Sequence, residues 1–114
     1  MYCEMVKKIN LTNLKGKLDK KQVILIDVLD ENSFKRIHIE GAINIPFLKL
    51  GEDVAKKQID PNKEIVVYSI DYDCPVSKIA AMKLKKYGYK KVFYYLGGKR
   101  EWLEAGFPVI KVVH

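Results

Sequence analysis

The chain is short of the residues that most small reactive or metal-binding sites are built from. Its 114 residues hold two cysteines (Cys3, Cys74), two histidines (His38, His114) and two arginines (Arg36, Arg100). So few cysteines exclude a disulfide scaffold and a thiolate-rich zinc site, and His38 has no second ligand at metal-binding spacing. No metal and no cofactor is expected. No apolar run approaches the roughly 20 residues that cross a bilayer, and the opening "MYCEMVKKIN" lacks the apolar stretch of a secretory signal. The expectation is one compact domain over residues 1–114, cytoplasmic, with no membrane partner and with reduced thiols. The pattern marks no exposed apolar patch and assigns no oligomeric state.

The shortage of arginine also shapes how the net charge of +7 is read. A basic surface attracts phosphate without reading sequence, but bidentate phosphate and base contacts favour arginine. Here the positive charge is nearly all lysine, spread in pairs such as Lys7-Lys8, Lys56-Lys57, Lys85-Lys86 and Lys90-Lys91. That pattern is a solvated lysine surface, with no specific nucleic-acid partner expected. An acidic protein partner is compatible with it.

What is present is an alternation of apolar strands and helical segments. After a brief strand near Lys7 to Ile9, "LTNLKGKLDKK" offers Thr12 or Asn13 as a cap, with Leu14 and Leu18 at helical spacing. "QVILIDV" is too short for a core helix and suits a strand buried on both faces. "DENSFKRI" predicts a helix capped by Asp30, "GAINIP" a short strand, "FLKLGEDVAKKQ" a helical or irregular crossover and Asp60-Pro61-Asn62 a turn. Ile65 to Tyr68 forms the next strand, and a helix opens at Pro75 with Val76, Ala80, Leu84 and Tyr87 on one face before Gly88 stops it. "KKVFYYL" reads as the last strand and "GGKREWLEAGF" as the final helix. Such alternation implies a mostly parallel sheet with its ligand site outside the carboxyl ends of the strands.

The loop that emerges there, Ser69 to Ser77, carries Cys74. Proline at the first helical position would put Cys74 at the N-cap, where the positive end of the helix dipole favours a thiolate. Asp71 and Asp73 flank it and repel both a thiolate and a dianionic donor. Tyr72 is the tyrosine within the loop and could shield the site. A thiol that merely packs or caps is the competing reading. Asp27, at the end of a buried strand, is expected to accept loop amides, and His38 to make an orienting hydrogen bond. Trp102 and Phe107 suit packing. Cys3 reads as a free terminal thiol, with a resolving role for Cys74 as the lesser reading.

Two separated segments, "ILIDVLDENSFKRIHIEGAINIP" and "YLGGKREWLEAGFPV", resemble the first and closing signatures of the rhodanese-like domains, and the resemblance covers nearly the whole chain. It implies an α/β fold, a five-stranded parallel sheet with helices on both faces. It also implies chemistry in which an active-site cysteine takes a sulfane sulfur from thiosulfate or a thiol persulfide and passes it to an acceptor. In catalytic members that cysteine follows the strand as Val-Tyr-Cys. This chain reads Val67-Tyr68-Ser69, and its loop (Ser69, Ile70, Asp71, Tyr72, Asp73, Cys74, Pro75, Val76, Ser77) is longer than usual and holds neither glycine nor arginine. Cys74-Pro75 resembles the second cysteine of a longer-loop subset, with the first one missing.

Two functions follow as expectations. One is a sulfurtransferase or persulfide carrier using Cys74 in the loop 69–76, with a small sulfur donor or a sulfur-acceptor protein as partner. The other is a catalytically inactive module acting in protein binding or regulation, because Ser69 holds the nucleophile's position. A phosphatase is set aside, since no arginine occurs from Ile37 to Lys99 to bracket a phosphate.

Overall fold

The computed structural model describes residues 6–111, so Cys3 and His114 lie outside the described residues. Seven strands and five α-helices alternate along them. They are β1 (Lys7–Lys8), α1 (Leu11–Asp19), β2 (Val23–Asp27), α2 (Glu31–Arg36), β3 (Ile37–Ile39), β4 (Ile43–Asn44), α3 (Glu52–Gln58), β5 (Glu64–Tyr68), α4 (Val76–Lys86), β6 (Val92–Tyr95), α5 (Gly98–Glu104) and β7 (Val109–Lys111). A 3₁₀ turn at Phe47–Lys49 precedes α3. The main sheet has the order β1-β6-β5-β2-β4, with every pairing parallel. The expected five-stranded parallel sheet with helices on both faces is therefore present.

Period-two alternation in the strands builds two cores. Ile26, Ile65, Val67 and Val92 face one side, against Ala55 of α3 and Ala80, Ala81 and Leu84 of α4. Leu25, Val66, Tyr68 and Tyr95 face the other, against Leu14 of α1 and Trp102 of α5. The helix α4 ends where glycine permits a left-handed residue: Gly88 has φ +104, and Tyr89 N–H returns to Leu84 O at 3.2 Å.

Three local expectations need correction. The N-cap of α1 is Asn10, whose side chain accepts from the Asn13 amide at 2.8 Å, so Asn13 is the capped residue rather than the cap. The helix of "DENSFKRI" is capped by Asp30 as expected but stops at Arg36. Ile37–Ile39 leaves it as β3 and pairs antiparallel with β7, a strand beyond the expected last one. Both strands are only three residues long, and their hydrogen-bond partners come from distant segments, which local pattern does not show.

The topology fixes where a ligand can go. After β2 the chain moves outward to β4, whereas after β5 it moves the opposite way to β6. The crevice between the carboxyl ends of β2 and β5, bounded by Asp27 and Tyr68, is the switch point of the sheet.

Candidate functional site

A buried polar network forms the floor of that crevice. Asp27 and Tyr68 are register partners on adjacent strands, and both are fully buried. Tyr68 Oη donates to Asp27 Oδ2 at 2.8 Å and accepts from the Ile39 amide at 3.1 Å. The Leu29 amide donates to Asp27 Oδ1 at 2.9 Å. Lys99, only 3% exposed, brings its ammonium to 3.8 Å from Asp27 Oδ2 and donates to Ser33 O at 2.8 Å. Burial raises the Asp27 carboxyl above its ordinary range, opposed by the Leu29 amide, the Tyr68 hydroxyl and Lys99. Burial likewise lowers the Lys99 ammonium, with Asp27 opposing. The Tyr68 hydroxyl is pushed well up by burial and by Asp27, so it stays protonated and can only donate to the carboxylate.

The loop lies directly on this floor. Ser69 is 1% exposed, and its carbonyl accepts from the Lys99 amide at 3.1 Å, while Ile70 O accepts from the Arg100 amide at 3.0 Å. These are two of the amides that the first turn of α5 leaves without internal partners. The close approach depends on Gly98, whose φ is +65 and where a Cβ would meet Ser69 O at 2.6 Å and Ile70 C and O at 2.8 Å. All three obstacles are backbone atoms. Gly98→Ala is therefore expected to cost at least about 2 kcal/mol, from left-handed strain plus displacement of the loop. Thermal unfolding together with the alkylation rate of Cys74 would check it.

Beyond Ile70 the chain makes a tight turn. Asp71 Oδ1 accepts from the Asp73 amide at 3.0 Å, and Asp71 O accepts from the Cys74 amide at 3.2 Å. The turn carries Cys74 back over the strand end, where its Sγ lies 3.2 Å from Ser69 Oγ. Cys74 is half-buried, whereas Tyr72 is 57% exposed. Tyr72 lines a cavity of about 240 Å³ with Lys8 and Leu96. Cys74 lines neither this cavity nor the one beside Ile70.

The helix after the loop begins one residue later than expected. Pro75 O accepts the first helical hydrogen bond, from the Ile79 amide at 3.1 Å, so Pro75 is the N-cap and Val76 the first helical residue. Cys74 stands one residue outside the cap, because its own amide is committed to the Asp71 turn. The amides of Val76, Ser77 and Lys78 face out of this end. Ser77 is 1% exposed, and its hydroxyl has no partner among the described residues.

His38 does not reach the loop. Its Nδ1 donates to Phe34 O at 2.8 Å, and its ring stacks on Phe34 at 3.7 Å, tying β3 to the end of α2. Trp102 packs edge-on to Phe107 and donates to Pro108 O at 2.8 Å. Among the described residues no cluster of three or more His, Cys, Asp or Glu could hold a metal ion. No helix there is long and apolar enough to cross a membrane. Lys99 is the residue that sequence reasoning missed. Its signal is faint, a lysine after Gly97-Gly98, and its counter-charge lies on a strand from the other half of the chain.

Residues 10–105 match the model of the rhodanese-like domain. The chain belongs to the rhodanese-like family. Relatives within it include the putative sulfur carrier protein YrkF of Bacillus subtilis, 33% identical over 98 residues that make up 85% of this chain and 51% of YrkF. The thiosulfate sulfurtransferase GlpE of Coxiella burnetii is 30% identical over 83 residues, 73% of this chain and 74% of that one. This rhodanese-like chain thus spans about half the length of YrkF and about three quarters of GlpE. Among solved structures, the BH2092 protein of Bacillus halodurans superposes with a TM-score of 0.86 at 28% identity, over 92% of this chain and 77% of that one.

Proposed function

We propose that this rhodanese-like domain moves sulfane sulfur through Cys74, as a sulfurtransferase or persulfide carrier. The observation that carries the reading is the 3.2 Å between Cys74 Sγ and Ser69 Oγ. The loop brings a sulfur beside Ser69, the residue at the strand end where the resemblance would put the family's nucleophile. Two relatives point the same way by name, one a putative sulfur carrier and the other a thiosulfate sulfurtransferase.

The chemistry needs no cofactor. The Cys74 thiolate attacks the outer sulfur of a persulfide donor, the donor's S–S bond breaks, and the donor thiolate leaves with the electron pair. Cys74 then carries the sulfur as a persulfide. An acceptor thiolate attacks that outer sulfur, and the Cys74 thiolate leaves in turn. The outward amides of Val76, Ser77 and Lys78 and the unpartnered Ser77 hydroxyl would receive the negative charge on the outer sulfur. Asp71 and Asp73 disfavour a dianion, so a thiol persulfide is the better donor and thiosulfate the poorer one.

Ser69 has a positioning role in this scheme. Ser69 is buried and its carbonyl is held by the Lys99 amide, so its hydroxyl, 3.2 Å from Cys74 Sγ, is placed to donate when that sulfur is a thiolate. Ser69→Ala is expected to slow alkylation of Cys74 about tenfold at neutral pH, as loss of a hydrogen bond to a charged group does. Ser69→Cys is expected to close a disulfide with Cys74 on mild oxidation, read as two thiols lost together.

Persulfide-dependent transfer of sulfur to a small thiol, compared between Cys74→Ala and Cys3→Ala, tests the proposal: activity should vanish in the first and persist in the second. Ser69 itself favours the second reading, a silent module that binds a partner, because a hydroxyl cannot form a persulfide. Equal and negligible transfer in the wild type and both variants would select it.

A further inference from the structure

The chain's only two arginines, far apart in sequence, line one cavity. Arg36 closes α2 and Arg100 stands in the first turn of α5. With Lys99 they border a groove of about 400 Å³ whose aliphatic walls come from Ile37, Ile70 and Leu103. Ile70 and Leu103 are 45% and 40% exposed, large apolar side chains turned to solvent. Ile70 belongs to the reactive loop and is tied to the groove's own helix by the Arg100 amide. The groove therefore shares a wall with the site already described.

Its charge is one-sided. Glu104 is the single carboxylate on its border, 3.7 Å from Arg100 Nε. The Lys99 ammonium is turned inward to Ser33 O and Asp27. Arg36 is solvent-exposed and takes part in none of the ion pairs among the described residues. A planar guanidinium beside exposed aliphatic side chains suits a carboxylate next to an apolar residue, and arginine is enriched among the residues that dominate interface energetics. A small inorganic anion would leave the aliphatic walls unused.

We propose that this groove docks the protein that exchanges sulfur with Cys74, through an extended segment carrying an aliphatic side chain beside a carboxylate. The purpose rests on the sulfur-transfer reading, but the docking can be tested without it. Asp71 and Asp73, taken alone, favour the opposite partner, a cationic one. The charge preference of Cys74 for a tethered peptide therefore decides between groove and loop.

The experiment is thiol–disulfide exchange on the full chain carrying Cys3→Ala. The probes are Ac-Cys-Gly-Gly-Leu-Glu-Glu and Ac-Cys-Gly-Gly-Leu-Lys-Lys amides, each as its mixed disulfide with thionitrobenzoate. The Cys74 thiolate attacks the peptide sulfur, the old S–S bond breaks, and thionitrobenzoate leaves with the electron pair as a coloured anion. Two glycines let the leucine lie roughly 10 Å from the sulfur. The acidic peptide is expected to react about fivefold or more faster at low salt, with the advantage shrinking as salt rises. The double variant Arg36→Glu with Arg100→Glu should abolish that advantage while leaving the rate with an uncharged hydroxyethyl mixed disulfide unchanged. A faster lysine peptide, equal rates, or an acidic preference that survives charge reversal would overturn the proposal. Because exchange needs only a thiol, an acidic preference in a protein that accepts no sulfane sulfur would keep the docking surface and discard the reaction.

Discussion

Cys74→Ala is expected to lower persulfide-dependent sulfur transfer by about three orders of magnitude or more, the scale on which removal of a covalent nucleophile acts. The expectation is this large because Cys74 is the one thiol among the described residues. Ser69 Oγ lies 3.2 Å from the sulfur, and a hydroxyl can hold a thiolate but cannot carry a second sulfur. Cys74→Ser should be as inactive as the alanine variant, although it keeps a polar γ atom on the same backbone turn. Steady-state transfer to a small thiol acceptor, with Cys3→Ala as the control of unchanged activity, measures the effect. Cys74 is only half-buried, so neither substitution is expected to change the unfolding midpoint appreciably.

Asp27→Ala is expected to have the largest effect on stability. It removes the acceptor of the Leu29 amide and the Tyr68 hydroxyl, and it leaves the Lys99 ammonium buried without a counter-charge. Breaking a buried pair in this way costs about 3–5 kcal/mol. Replacing both members, as Asp27→Asn with Lys99→Met, should recover most of that loss, because the pair's burial disfavours both charged forms. The sign of the pH dependence follows. The Asp27 pKa is raised in the fold, so its share of stability is present below the ordinary aspartate pKa and is lost as pH rises through the folded value. The Lys99 pKa is lowered, so its share is present above the ordinary lysine pKa and is lost as pH falls through the folded value. Both changes work against the wild type near neutrality, and the double variant should show a flatter dependence of stability on pH. Urea unfolding midpoints of the wild type, the single variant and the double variant across pH would check this.

The long elements were legible in the sequence because their information is local. The apolar run Val23–Asp27 and the stripe of Val76, Ala80 and Leu84 name their structure without help from distant residues. The β3–β7 pair was not, since each strand is three residues long and is stabilised by the other. The start of α4 shifted by one residue for a similar reason: Pro75 reads as a first helical residue, but its carbonyl is spent on Ile79 and the turn at Asp71 holds the Cys74 amide. Within the candidate site, the loop and its cysteine could be found from sequence, as could the buried end of β2 at Asp27. The contact of Cys74 with Ser69 depends on how five loop residues fold back, and the Asp27–Lys99 pair and the convergence of Arg36 with Arg100 depend on how α2 and α5 come together in space. None of these has a sequence spacing that announces it.

The central claim is that Cys74 accepts a sulfane sulfur. Intact-mass spectrometry of the Cys3→Ala protein, before and after exposure to a thiol persulfide and again after reduction, tests it most directly. The account predicts a mass gain of one sulfur atom per chain that disappears on reduction and is absent from the Cys74→Ala protein. An unchanged mass, with Cys74 still open to alkylation, would contradict it and leave the rhodanese-like fold without the family's reaction.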